Sequence, residues 1–341
     1  MKDLAIIIPA YKEAYLNKTL SSLAQQTNLN FDVYIGDDCS PHNLKPIIDK
    51  YRTQLNISYT RFAKNTGAKN IVNQWSRCID LVNNDTKWLW LFSDDDIAAS
   101  NCVENFYDSI ALKGERFDVY RFNTVTIDNN DAVIQRNPTG PEEESSEQMA
   151  YHLLKSKRGN SMPDHIFSRE IYKKCGGFVF TDYAQGADWA MSILFSKNKG
   201  ISIIPGAEVY WRYSGQNISS TATLQKAQML YGHLQFIDWC LNHFKYLQSP
   251  INGISYNMML EALAQNLSDV LLHHFKGVGF KNYPFIYGVL NGRLAMPRYL
   301  ALKELLKIDS QYNSLAGGIY KLILKGENGF KRIDNLIHNQ L

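Results

Sequence analysis

The sequence predicts an α/β protein, a sheet flanked by helices, with a mainly helical C-terminal extension. Three observations carry this. Apolar runs of strand length alternate with helix-length segments over residues 4–92, polar clusters punctuate the ends of those runs, and from Thr221 onward the pattern turns mainly helical. Residues 1–220 are read as one α/β domain and residues 221–341 as a helical region serving ligand, oligomer or membrane contacts.

The elements follow in order. Leu4 to Ile8 and Phe31 to Ile35 read as buried or half-buried strands, with a helix from about Lys12 to Gln26 between them. Helical residues near Asn43 to Arg52 lead to a strand at Ile57 to Phe62, then a helix from about Gly67 to Val82, then the apolar run Lys87 to Phe92. Strands alternating with helices of this length imply parallel pairing with right-handed crossovers, and ligands gather beyond the carboxyl ends of such strands. Phe117 to Val125 reads as a further strand, with Val133-Ile134 as hairpin partner across Asp128-Asn129-Asn130-Asp131. Pro138 to Gln148, with Gly140, Pro141 and Glu142-Glu143-Glu144, is the clearest loop, either a solvated linker or a lid. Helices are expected at Leu224 to Phe244 and Ile254 to Phe275, with breaks near Gly277-Val278-Gly279 and at Pro284.

Composition bounds the function. With 341 residues, 45% apolar and 20% charged, the chain can bury a large core, and a net charge of +3 gives no case for nucleic acid. Five widely spaced cysteines without a C-x-x-C pair indicate neither a disulfide framework nor a zinc site and fit a reducing cytosol. The run Leu4 to Ile8 stops at Pro9, too short for a signal peptide, and no later run reaches the roughly eighteen apolar residues of a membrane span. A cytoplasmic protein is expected. Residues 270–341 hold ten Lys or Arg against four Asp or Glu, interleaved with aromatics such as Phe275, Phe285 and Tyr299. That pattern suits either a surface meeting anionic lipid headgroups at the cytoplasmic membrane face or an ordinary helical bundle with solvated lysines, and a homo-oligomer through these helices is also open.

The chemistry concentrates at four strand ends: Pro9-Ala10-Tyr11, Asp37-Asp38, Asn65-Thr66-Gly67 and Asp94-Asp95-Asp96. Three adjacent carboxylates repel one another, so a cation is expected among them, and a hard divalent ion shared with substrate phosphates is the natural one. Alone, the triplet also reads as a solvated acidic turn. Neither G-x-x-x-x-G-K-[ST] nor G-x-G-x-x-G occurs, which argues against P-loop and dinucleotide enzymes.

In this order along the chain, the motifs resemble the inverting nucleotide-sugar glycosyltransferases of the GT-A type, family 2, over about residues 3–220. The resemblance implies a Rossmann-like mixed sheet and a nucleotide-sugar donor of UDP or dTDP type. It assigns the donor to Pro9, Ala10, Tyr11 and Glu13 after the first strand, Asp38 toward the base, Asn65 and Gly67, Asp94, Asp95 toward the ribose, and Arg212 toward the diphosphate. The arginine usual in the helix after Gly67 is missing by this alignment, and Lys69 or Asn73 is expected to stand in. Asp96, with Asp94, is the expected ligand of Mg²⁺ or Mn²⁺. Cys175-Gly176-Gly177-Phe178 resembles the family's acceptor-side turn, and Asp188 in Gly186-Ala187-Asp188-Trp189 matches its catalytic base, although an aspartate at a helix start is otherwise an ordinary cap.

Two departures stand out. Ala187 replaces the usual glutamate, and Ser214 occupies the position of a family histidine. The implied function is transfer of a sugar to a hydroxyl of a glycan or lipid-linked acceptor in cell-surface polysaccharide or lipopolysaccharide synthesis. The rival reading is a non-catalytic sugar-nucleotide or glycan-binding relative.

Overall fold

The computed structural model describes residues 2–68, 70–215, 226–273, 283–294 and 296–309. The chain divides into two compact units, Met1–Ala222 and Thr223–Leu341.

The first unit is built on one mixed sheet. Its elements are β1 (Leu4–Ala10), α1 (Leu16–Ala24), β2 (Phe31–Asp37), α2 (Lys45–Asp49), β3 (Ile57–Arg61), α3 (Ile71–Ile79), β4 (Trp88–Leu91), β5 (Ile97–Ala98) and α4 (Cys102–Lys113). They continue as β6 (Val119–Ile127), β7 (Val133–Arg136), β8 (Glu143–Glu144), α5 (Ser146–Leu154), β9 (His165–Ser168), α6 (Arg169–Lys174), α7 (Ala187–Ser196) and β10 (Ile201–Arg212). The strand order is β3-β2-β1-β4-β9-β6-β10-β5, with β7 on β6 and β8 on β10. β1 to β4 pair in parallel, β9 runs antiparallel between β4 and β6, and β10 lies parallel to β6.

The two-residue period of a strand explains the layers. Leu4, Ile6 and Ile8 point to one core with Leu16, Leu20 and Leu23 of α1 and Phe106 of α4, while Ala5 and Ile7 point to the other with Cys78 and Ile79 of α3, Met149 of α5 and Phe195 of α7. Trp88 and Trp90 join the first face, Leu89 and Leu91 the second. Each fully buried Leu or Ile contributes about 1.5–3 kcal/mol, so strands apolar on both faces are held at the centre.

The region expected to be a loop is partly regular. Glu143–Glu144 pairs with β10, Gln148 lies inside α5, and Ser145 with Gln148 forms a capping box at that helix. Glu144 is buried against Arg158, and Lys113 meets Glu142 at 2.7 Å, so this acidic run is neither a free linker nor a lid. The sequence reading also passed over α4, β9 and β10 as elements.

The second unit comprises α8 (Lys226–His243), α9 (Tyr256–His273), α10 (Tyr283–Tyr287) and α11 (Arg298–Asp309), with a π-helical turn at Gly288–Arg293. Met259, Leu263, Leu267 and Leu271 recur every four residues along α9 and are buried. Among the described residues no helix is long and apolar enough to cross a membrane. Most of the basic, aromatic tail, including Phe275, the Gly277-Val278-Gly279 break and residues 310–341, lies outside the described residues.

Candidate active site

Parallel β1, β2 and β4 end together, and this gathers the sequence motifs. The Asp38 amide donates to the Ala10 carbonyl at 2.8 Å, and the Ser40 hydroxyl donates to the Tyr11 carbonyl at 2.6 Å. Pro9 pairs with Gly36 and Ala10 closes β1 beside Asp37, and the Tyr11 side chain is exposed just beyond. Asp94 binds this turn directly, its Oδ2 accepting from the amides of Tyr11 and Lys12, each at 2.7 Å.

Asp38 is nearly buried and fixes the second motif. Its Oδ1 accepts from the Thr66 amide and its Oδ2 from the Gly67 amide, both at 2.7 Å. A Cβ at residue 67 would stand 2.6 Å from that Oδ2, so only glycine lets the carboxylate seat there. Arg77 of α3 also donates to Asp38 and lies 3.8 Å from the Phe62 ring centroid. The helix thus does carry an arginine that reaches this pocket, further along than the alignment looked. Asn65 is exposed and caps the turn through the Ala68 amide at 2.9 Å, Glu13 is exposed beside His42 at 3.4 Å, and Lys69 lies outside the described residues.

The acidic trio is buried. Lys12, unremarked in the sequence, donates to Asp95 and lies 3.6 Å from Asp94. Burial works against its charge, but Asp94, Asp95 and Asp96 outweigh that and hold its ammonium above the ordinary lysine value. Ser93 donates its hydroxyl to Asp95 Oδ1 at 2.7 Å. Burial pushes Asp94 up to about 6 against the pull of Lys12, and burial with repulsion from Asp95 pushes Asp96 well above the usual carboxylate range.

Buried, mutually repelling anions are an environment that a hard dication relieves. Among the described residues no three His, Cys, Asp or Glu side chains form a metal cage, so the protein would give one or two oxygens and leave the rest to phosphates and water. Asp96 fits that part. Asp94 fits it less well, because its Oδ2 is committed to two backbone amides.

Arg212 is fully buried at the end of β10. Its amide donates to Asp96 Oδ1 and its Nε to the Asp95 carbonyl, both at 2.8 Å; its Nη1 donates to the Asp128 carbonyl at 2.7 Å, and its Nη2 pairs with Asp131 at 2.6 Å. The guanidinium also lies 4.4 Å from the Tyr15 ring centroid. Expected to meet a diphosphate, this side chain is instead taken up by the protein, and it latches the trio to the 128–131 turn.

Asp188 lies in the first turn of α7, entered through Gly186 at φ 70°. It accepts from Asn160 Nδ2 at 3.2 Å, and burial pushes its carboxyl up to about 6. Asp164, fully buried, lies 3.8 Å from Arg121 and accepts from Ser161 N and Oγ at 2.9 and 2.6 Å and from Thr124 Oγ1. Asp164 is a smaller contributor to the raising of both Asp96 and Asp188, behind burial in each case. Neighbouring His165 is no proton carrier, since burial pushes its imidazole down to about 3. Sequence reading missed Lys12, Arg77, Asn160, Arg121 and Asp164. Of these, only Lys12, adjoining the Pro9-Ala10-Tyr11 motif, stood where a motif pointed.

A family model described as Glycosyl transferase family 2 matches residues 5–176. Among curated proteins, an uncharacterized glycosyltransferase of Haemophilus influenzae is 29% identical over 175 residues, covering 51% of this chain and 55% of that protein. The poly(ribitol-phosphate) beta-N-acetylglucosaminyltransferase TarS of Staphylococcus aureus is 36% identical over 70 residues, covering 20% of this chain and 12% of its own. The aligned region spans little more than half the length of the first relative and far less of the second. The crystal structure of S. aureus TarS 1–349 in complex with UDP-GlcNAc matches with TM-score 0.62 at 17% identity, over 96% of this chain and 92% of that one. The corresponding complex with UDP matches with TM-score 0.58 at 17% identity, over 94% and 92%. At such identity the likeness speaks for the fold, which is of the GT-A type. With its motifs and site geometry in keeping with the family match, the chain belongs to glycosyl transferase family 2.

Proposed function

We propose that this glycosyltransferase moves a sugar from a UDP- or dTDP-type donor, with inversion, to a hydroxyl of a glycan or lipid-linked acceptor in cell-surface polysaccharide synthesis. The observation that carries the reading is Asp188 in the first turn of α7, held by Asn160 Nδ2 at 3.2 Å, with burial raising its carboxyl to about 6. A base must be ionised at working pH yet eager for a proton, and a value near 6 meets both needs. The UDP-GlcNAc and UDP complexes of TarS support the donor class, and the poly(ribitol-phosphate) in its name, a polymer that bears hydroxyls, supports a hydroxyl acceptor.

In this mechanism Asp188 accepts the proton of the acceptor hydroxyl as its oxygen attacks the anomeric carbon. The bond to the nucleoside diphosphate breaks on the opposite face, so configuration inverts, and general-base help is worth about 10²–10⁴ in rate. Asp38, held by Thr66, Gly67 and Arg77, lines the nucleotide end. Mg²⁺ or Mn²⁺, when bound at Asp96, supplies neutralisation of charge on the departing diphosphate.

The test is UDP release from UDP-GlcNAc with Mn²⁺. Asp188→Asn should abolish release while UDP binding persists, and retained release would remove Asp188 from the role. A dTDP-sugar panel in the same assay decides between the donor types.

A further inference from the structure

Asp188 accepts from the Asn160 side chain and from the amides of Trp189 and of Asp188 itself, and the surroundings of Asn160 show how it is held there. It sits in the connection between α5 and β9, and both of its neighbours are tethered. The Gly159 carbonyl accepts from Arg121, and Ser161 gives its amide and hydroxyl to Asp164 in a capping box. Arg121 and Asp164 are themselves buried beside each other. The backbone at residue 160 is thereby fixed on both sides, and its amide group is aimed at Asp188 Oδ2 at 3.2 Å.

The chemistry of the contact fixes the orientation of the amide, because an ionised carboxylate can only accept and Nδ2 must therefore face it. The other end is informative. Asn160 Oδ1 is a buried acceptor without a hydrogen-bond partner. Native structures pair nearly all such atoms, and those they leave unpaired cluster where function demands a compromise. A residue serving packing alone gains nothing from an amide in this position.

We propose that Asn160 is a positioning residue for the catalytic base, holding the Asp188 carboxylate through Oδ2 in place for the acceptor hydroxyl. This rests on the reading of Asp188 as the base. The hydrogen bond goes to the charged form of Asp188, so it also sets how readily the base ionises. The other charge that acts on it is Asp164, with Arg121 on β6 behind Asp164, and the helix α5 that packs on α7 carries the titratable Glu147 and His152. None of these is altered by a change at residue 160.

The experiment measures UDP release from UDP-GlcNAc against pH for wild type, Asn160→Ala, Asn160→Asp and Asp188→Asn, with UDP binding and thermal unfolding as folding controls. Asn160→Ala should lower kcat about tenfold, leave the donor KM within about twofold, and move the acidic limb of the profile up by about half to one pH unit. Asn160→Asp keeps the shape but removes the donor and adds a like charge, so its limb should move further in the same direction, and it carries the test if the alanine variant does not fold. A merely structural residue would change stability or KM and leave the limb in place. If Asp188→Asn is inactive while both Asn160 variants keep the wild-type limb and kcat, the positioning role is lost and the base stands. If Asp188→Asn remains active, the base assignment fails and this inference with it.

Discussion

The two ends of the site treat their carboxylates differently. At the end proposed for the nucleotide, Asp38 takes two backbone amides and Arg77, and Asp37 takes Tyr59, Arg61 and the Ser40 amide, so two cations and several neutral donors surround them. At the end proposed for the acceptor, Asp188 takes the Asn160 side chain and the amides of Trp189 and of Asp188 itself, and burial raises its carboxyl to about 6. The turn before it holds Tyr183 and Ala184 at φ 55° and 52°, a conformation non-glycine residues rarely adopt. Asp37 and Asp38 face arginines, whereas Asp188 is held by neutral donors alone. The contrast can be broken by substitutions at either end.

The largest effect belongs to Asp188. Asp188→Asn should cost about 10²–10⁴ in UDP release, whereas UDP affinity, measured calorimetrically, should change less than about twofold. Loss of binding along with turnover would mean that the two ends do not divide their labour.

Arg212→Met comes next. It removes a buried cation together with partners for the Asp95 and Asp128 carbonyls and for Asp131, and should destabilise the protein by about 3–5 kcal/mol in urea unfolding. A loss under about 1 kcal/mol would show that the latch on the trio is dispensable.

Gly67→Ala should act only at the nucleotide end. The new Cβ would meet Asp38 Oδ2 at 2.6 Å, so Asp38 must leave its amides, and UDP affinity should fall about tenfold or more. The acidic limb set by Asp188 should stay near pH 6, with release rising as pH rises through that value and flat above it. A limb that moved with Gly67 would couple the two ends.

The same contrast explains what the sequence made legible. The strand ends of β1, β2 and β4 each announce themselves, because an apolar run buried on both faces gives way at once to Tyr11, Asp38 or Asp94. The acceptor end has no such signal. β9 is four residues long, its partners β4 and β6 lie far off in sequence, and Asp164 sits in a 3₁₀ turn whose Met162-Pro163 has no periodicity. Arg77 was overlooked because α3 continues well past the motif it serves. The acidic run at 142–144 looked solvated because Lys113 and Arg158, which pair with it, are not its neighbours in sequence.

The smallest effect sharpens the comparison most. A carboxyl raised from 3.8 to about 6 binds its proton more tightly in the folded protein than in the unfolded chain. It therefore costs nothing below about pH 4, costs progressively more as pH rises through 6, and is fully destabilising above that. For a half-buried group the penalty is on the order of 1–2 kcal/mol, discounted from the full linkage value for solvent screening. Asp188→Asn should then unfold at higher urea concentration than wild type at pH 8, by that amount, and at the same concentration at pH 4. Asp38→Asn should show the opposite sign at pH 8, since an asparagine offers one accepting oxygen where the carboxylate offers two to the Thr66 and Gly67 amides and Arg77. Two aspartates responding oppositely to the same substitution would separate a carboxylate held by cationic and backbone donors from one that burial disfavours, without any turnover assay.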